Sequence, residues 1–284
     1  MDTSIEKISN TPLLLLERAS QEAGQAIYGK AEYINPAGSI KDRTCYSMIT
    51  QALARGDLCA GDTIVEATAG NTGIGLAHFA QQLGIKVVIF MHQGESPYKI
   101  SQMRSMGVRV FEVPPVPPSH PDSKVNQARR FKDRMPGRVW YSDQYNNSDN
   151  ALAHHSTASE IFTEQPDIGG FAAAVGTGGT LLGVQQWCRA HRPSVRLARV
   201  INQPDSRAEG IGGGTPSQLL DQLQEDCCFF VKDQEAFRWM SEYQCGPSAA
   251  INVMGAIKLA RLFQISVATI LCDHINRYPH IKIQ

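Results

Sequence analysis

The sequence has no excess of charge of either sign: 27 lysines and arginines stand against 27 aspartates and glutamates. That balance leaves no basic footprint for nucleic acid or for an acidic membrane surface. Long apolar runs are missing too. The stretch Val267 to Cys272 is typical of the longest and falls far short of the roughly 20 residues that span a bilayer. Met1 to Lys7 is polar and holds no apolar core of a signal peptide. The seven cysteines (Cys45, Cys59, Cys188, Cys227, Cys228, Cys245 and Cys272) show no metal-ligand spacing. Their odd number, without an export signal, predicts reduced thiols in a cytoplasmic protein, each a small buried filler. No H-E-x-x-H, C-x-x-C or paired-carboxylate signal appears. His154 and His155 are adjacent on one expected helix, so they point to different faces and make a poor metal pair.

What is present is enough chain for a sizeable core and a regular rhythm along it. At 284 residues, 42% hydrophobic and 19% charged, the composition is that of one large or two ordinary globular domains. From about residue 60, strands are expected at Asp62 to Glu66, Lys86 to Met91, Val108 to Val113, Arg138 to Tyr141, Phe171 to Val175 and Val195 to Ile201. Helices are expected between them at Gly73 to Leu83, Pro97 to Met106, Asn150 to Glu164 and Leu181 to His191. A further helix, Ala249 to Phe263, leads into a last buried strand at Val267 to Cys272. Strands alternating with helices predict βαβ units and a mainly parallel sheet. The proline-rich stretch Val113 to Pro121 cannot be sheet interior and reads as a surface loop.

Open α/β sheets bind ligands beyond the carboxyl ends of their strands, so the loops after strands are informative. Gly176-Thr177-Gly178-Gly179-Thr180 follows one strand and opens a helix. Converging backbone N–H groups, two hydroxyls and a helix N-terminus make it a cradle for a phosphate monoester dianion. It is neither a Walker A loop nor a G-x-G-x-x-G fingerprint, and alone it also reads as a tight turn. Glu66 to Gly73 (Glu-Ala-Thr-Ala-Gly-Asn-Thr-Gly) makes a second anion site, suited to a carboxylate, or an N-capping loop held by Thr68 or Asn71. Two such loops favour a ligand with two anionic ends. The third segment, Asn35 to Arg43, places Lys41 after a Pro/Gly/Ser turn where a helix is expected to begin. Helix dipole and desolvation there both lower an amine's pKa, which favours the neutral form a Schiff base needs.

Together these segments resemble the cysteine synthase (O-acetylserine sulfhydrylase) and cystathionine β-synthase group of fold-type II pyridoxal-phosphate (PLP) enzymes. The resemblance extends to Ile8-Ser9-Asn10-Thr11-Pro12-Leu13, Asp143-Gln144-Tyr145-Asn146-Asn147, Glu209-Gly210-Ile211-Gly212, Cys245-Gly246-Pro247-Ser248-Ala249 and Arg277-Tyr278, in family order over nearly the whole chain. It implies a tryptophan-synthase-β-like fold of two α/β domains, each with a mainly parallel central sheet. Residues 1–11 and 36–149 would form the smaller domain with the carboxylate loop, and residues 12–35 and 150–284 the larger domain with the phosphate loop. Lys41 would be the catalytic residue, carrying PLP as an internal aldimine and moving protons. Gly176, Thr177, Gly178, Gly179 and Thr180 would hold the phosphate, Asn71 the cofactor's 3′ oxygen, and Ser248 the pyridine nitrogen. Thr68, Ala69, Gly70, Thr72, Gln144 and Gly210 would bind the amino-acid substrate, with Glu209 to Gly212 closing over it.

The implied activity is β-replacement on O-acetylserine or a similarly activated serine through an aminoacrylate, making cysteine from sulfide. A homodimer acting on small molecules is implied, with no nucleic-acid or membrane partner. Homocysteine, another thiol or an amine remains open as nucleophile, as does a non-catalytic binding protein on the same fold. Two positions depart from the pattern. Ala69 replaces the usual serine and removes one donor to the substrate carboxylate, a loss of roughly 1–3 kcal/mol if nothing replaces it. His274-Ile275 stands where relatives have Ser-Gly; His274 either meets the pyridine or Ser248, or turns outward. No regulatory haem or CBS-pair domain is expected, with the chain stopping at Gln284.

Overall fold

A computed structural model describes residues 8, 10–212 and 214–281. The Met1 to Lys7 segment, Ser9 of the opening motif and the chain end at Gln284 lie outside the described residues. Among the described residues, ten strands pair into two sheets. The six-stranded sheet has the order β1 (Leu13–Leu15), β2 (Ile27–Ala31), β10 (Val267–Leu271), β7 (Gly170–Ala174), β8 (Arg196–Asn202) and β9 (Cys227–Val231). Only the β1–β2 pair in it is antiparallel, with Leu14 opposite Gly29. The four-stranded sheet is wholly parallel in the order β5 (Arg109–Val113), β4 (Lys86–His92), β3 (Thr63–Ala67) and β6 (Val139–Tyr141). Val65 lies opposite Val88 on one side and Tyr141 on the other.

Parallel strands need cover on both faces, which is why β10 and most of β3 are buried along their length. Among the described residues the cover comes from ten helices: α1 (Glu17–Ala23), α2 (Lys41–Arg55), α3 (Asn71–Gln82), α4 (Pro97–Ser105), α5 (Lys124–Arg134), α6 (Ser148–Glu164), α7 (Gly179–His191), α8 (Asp233–Ala236), α9 (Arg238–Tyr243) and α10 (Pro247–Phe263). Helix α10 starts on a proline at its first position and packs its Ala/Ile/Val/Leu residues against β7, β8 and β10. Helix α2 stops at Gly56, whose φ of 76° caps it in the left-handed region. It packs against both α3 and α6, and so joins the two sheets' layers at the point where Lys41 begins it.

Each expected strand and helix appears within one or two residues of its place. The alternation left β1, α1, β2, α5, β9, α8 and α9 unassigned. The proline-rich stretch is the loop between β5 and α5. One expectation needs correction. The cysteines are not uniformly buried filler: Cys45, Cys188 and Cys245 are buried, Cys59, Cys227 and Cys272 are partly exposed, and Cys228 is exposed on the edge strand β9.

Candidate active site

The carboxyl ends of the two sheets face one another, and their loops enclose a cavity. Every residue anticipated for cofactor or substrate lines it: Lys41, Thr68, Ala69, Gly70, Asn71, Thr72, Gln144, Gly176 to Thr180, Gly210 and Ser248. Lys41 is the first residue of α2, and burial pushes its amine below the ordinary lysine range against the opposing pull of Cys272, Cys45 and Asp273. Lowering the amine's pKa in this way favours its neutral form, the form that can act as a nucleophile or base.

Across the cavity, the loop from β7 to α7 fits a phosphate. Gly178 caps α7 with φ 87°, and a Cβ built on Gly176 or Gly179 would lie 2.2 Å from Gly210 O or from Asn150 Oδ1. Side chains are therefore excluded, and the N–H groups of the helix's first turn are left at the cavity wall, with Gly179 N donating to Thr177 Oγ1 (3.3 Å). Beneath this loop sits a polar layer that the sequence did not point to. Thr44, one turn along from Lys41, donates to Asn150 Oδ1 (3.0 Å) and meets His154 Nε2 at 3.3 Å. Asn150 Nδ2 donates to Thr177 Oγ1 (3.0 Å), and His154 Nε2 also lies 3.3 Å from Thr180 Oγ1. Burial, with Lys41 and Arg43 nearby, holds His154 neutral, so it serves as a linker between α2 and the phosphate loop.

The loop after β3 is built on a buried carboxylate. Glu66 accepts from Ser142 Oγ (2.6 Å), Gln144 N (3.0 Å) and Ala67 N (2.7 Å), which fixes Gln144 beside the loop. Thr72 Oγ1 donates to Gln144 Oε1 (2.7 Å), and Gln144 Nε2 donates to Ala67 O (3.0 Å). Asn71 is more engaged than expected. Its Nδ2 donates to Asp273 Oδ2 (2.6 Å) and its Oδ1 accepts from Arg277 Nη1 (2.7 Å). One N–H of that amide is committed to Asp273, and the other is the donor left for a cofactor oxygen. Arg277 also donates to Ala37 O in the turn before Lys41, and Tyr278 Oη donates to Asp273.

Ser248, the second residue of α10, lines the cavity beside Cys272, whose thiol accepts from Asn252 Nδ2 at 3.3 Å. His274 takes the outward alternative: it caps the turn at Ile275–Arg277 by accepting from Asn276 N (3.2 Å) and meets the Tyr33 ring edge-on at 5.9 Å. His154 and His155 diverge as expected, the second reaching Gln186. Lys99, Tyr145, Glu209 and Cys272 also line it. A second cavity of about 310 Å³ opens beside the first, sharing Ala69, Tyr145, Gly176, Gly210 and Ile211, with the proline-rich loop as its outer wall.

Two α/β layers, a buried lysine at a helix start and a Gly/Thr phosphate cradle opposite it define a fold-type II PLP enzyme. The chain belongs to the pyridoxal-phosphate dependent enzyme family, whose model matches residues 5–273. It is 35% identical to cysteine synthase 1 of Neurospora crassa over 95% of this chain and 80% of that protein. It is 32% identical to cysteine synthase B of Pseudomonas aeruginosa over 97% of this chain and 95% of that protein. Its structure is similar to the O-acetylserine dependent cystathionine beta-synthase from Helicobacter pylori, with TM-score 0.91 and 26% identity, covering 100% of this chain and 98% of that one.

Proposed function

We propose that the protein catalyses β-replacement on O-acetylserine, or a similarly activated serine, with sulfide as the nucleophile and cysteine and acetate as the products. The observation that carries this is the convergence of a buried lysine, a phosphate cradle and a carboxylate loop on one cavity. PLP, when bound, supplies an electron sink for charge developing at the substrate's Cα. Lys41 would hold it through the side-chain amine, Gly176 to Thr180 its phosphate, Asn71 its ring oxygen and Ser248 its ring nitrogen. A hydroxyl partner such as Ser248 leaves that nitrogen unprotonated, which suits elimination and addition better than transamination.

The chain's own groups do the remaining work. The backbone N–H groups of the Thr68 to Thr72 loop, with Gln144 behind them, orient the substrate carboxylate. Lys41, depressed by burial, takes the Cα proton and returns it to the same carbon. The Cβ–O bond breaks with its electron pair leaving on acetate, and hydrosulfide forms the Cβ–S bond. Glu209 to Gly212 form the rim that keeps water from the reacting carbon. The neighbouring 310 Å³ cavity is far larger than the roughly 10–15 Å³ that one small molecule such as water needs, so an organic thiol or amine is the second reading for the nucleophile.

We further propose that residues 1–11 with 36–149, and 12–35 with 150–284, are the two domains, and that the protein works as a cytoplasmic homodimer. The division is supported by the separation of the two sheets, and among the described residues no helix is long and apolar enough to cross a membrane. The test of function is optical. Purified protein should be yellow, its absorption band should move when O-acetylserine is added, and sulfide should return it while cysteine accumulates. Lys41→Ala should be colourless. A parent protein that never takes up PLP, or a band indifferent to O-acetylserine, contradicts the proposal.

A further inference from the structure

The cofactor cavity is lined by two amines, Lys41 and Lys99, and by one carboxylate, Glu209. Lys41 has its role above. Lys99 has none, yet its placement is demanding. It is 2% exposed, and buried ammonium groups persist only when paired. Its Nζ donates to Glu209 Oε2 at 2.7 Å and to Tyr278 Oη at 3.2 Å, and stands 4.3 Å above the Tyr278 ring. Lys99 belongs to α4, on the four-stranded layer, whereas Glu209 belongs to the loop after β8. The ion pair thus spans the mouth of the site.

The lysine's stem runs along the carboxylate loop. A Cβ built on Gly70 would fall 2.5 Å from Lys99 Cδ, and Gly70 itself holds φ at 131°. The methylenes of Lys99 therefore occupy the space a side chain at position 70 would need. Side-chain donors on that loop are otherwise few. Ala69 has none and the Thr72 hydroxyl is given to Gln144, while Thr68 Oγ1 accepts from Gly70 N and keeps its own O–H. A carboxylate arriving at this loop finds backbone N–H groups, the Thr68 hydroxyl and, beside them, one ammonium.

We propose that Lys99 is a specificity-determining residue for the amino-acid substrate: its ammonium holds the α-carboxylate against the Thr68 to Thr72 loop, while its bond to Glu209 ties the mouth loop across the cleft. The arrangement places one positive charge between two negative ones, so a bound substrate is linked through Lys99 to the mouth loop. Before entry, Glu209 neutralises Lys99 alone; His280 Nε2, 3.2 Å from Glu209 Oε1, supports the carboxylate from outside. Selectivity follows from charge. An amino acid keeps Lys99 satisfied on both sides, whereas the corresponding amide presents a neutral group to it.

This inference rests on the β-replacement reading, and the experiment separates the two. Wild-type holoenzyme, Lys99→Gln and Lys99→Arg are titrated with O-acetyl-L-serine and with its carboxamide, following both the cofactor band and turnover. Lys99→Gln should raise KM for O-acetylserine about 10–100-fold, as expected for loss of a charged hydrogen bond, with kcat within about threefold and the resting band unchanged. Its discrimination between acid and amide should fall by the same factor, and Lys99→Arg should restore part of it. An unchanged KM overturns the proposal, and so does an equal loss for acid and amide, which marks a packing role. If Lys99→Gln does not fold, Lys99→Met keeps the stem and carries the same comparison. A wild-type band indifferent to O-acetylserine overturns the β-replacement reading instead, and the acid–amide comparison then moves to whichever amino acid shifts it.

Discussion

At the scale of single residues, Glu66 shows how the substrate loop taxes stability. The carboxyl is fully buried and its three donors do not offset the loss of water, so burial pushes its pKa up to about 7 from 4.5. Between those values the folded chain holds a proton that the unfolded chain has released. The group's contribution to stability is therefore complete below about pH 4.5 and lost as pH rises through about 7. Asp42, buried beside Lys41 and raised to about 7 from 3.8 despite bonds from Ala37 and Ser39, acts in the same direction. Glu66→Gln should accordingly flatten the fall in unfolding free energy between about pH 5 and 8. Urea denaturation across that range checks it, and a slope equal to that of the parent refutes the assignment.

At the scale of elements, the loop from β7 to α7 is defined by what it cannot carry. A methyl at Gly176 would strike the carbonyl of Gly210, a backbone atom with no rotamer to yield. Gly176→Ala should thus weaken PLP binding at least about tenfold, through displaced loop N–H groups, while the helices keep their circular dichroism signal. Fluorescence titration of the cofactor-free protein measures the change, and parental affinity would show that the loop is softer than its contacts indicate. Loops of this kind are legible in sequence because their chemistry is local: glycines and threonines directly after a strand and before a helix. Lys99, Asp273 and His154 were not, since each acquires its role from partners more than 20 residues away. The same holds for β2, a short strand whose neighbour β10 comes from the far end of the chain, whereas α5 carries a readable Ser123 cap. His274 shows the converse: sequence left it two orientations, and the hydrogen bond to Asn276 N selects one.

At the scale of the whole molecule, buried charge fastens α2, which also packs on α3, to the six-stranded layer. Arg43 donates to Glu32 Oε2 (2.8 Å) and, through two nitrogens, to Glu160 (2.7 and 2.8 Å), while Lys30 meets Glu160 at 3.0 Å. Removing the guanidinium leaves Glu32 facing no other cation among its described contacts, with no exposure to water. Arg43→Ala should therefore cost about 3–5 kcal/mol of stability, read from denaturation of the cofactor-free protein. A loss under about 1 kcal/mol would show that water or rearrangement compensates. The position of β10 between β2 and β7 carries a consequence for biosynthesis. The first hairpin cannot reach its native sheet until residue 271 has left the ribosome, and Asn71 and the turn before Lys41 wait a few residues longer for Arg277. Completion of the site is thereby postponed until this late segment has emerged, and until then the nascent chain must shield the exposed flank of β7.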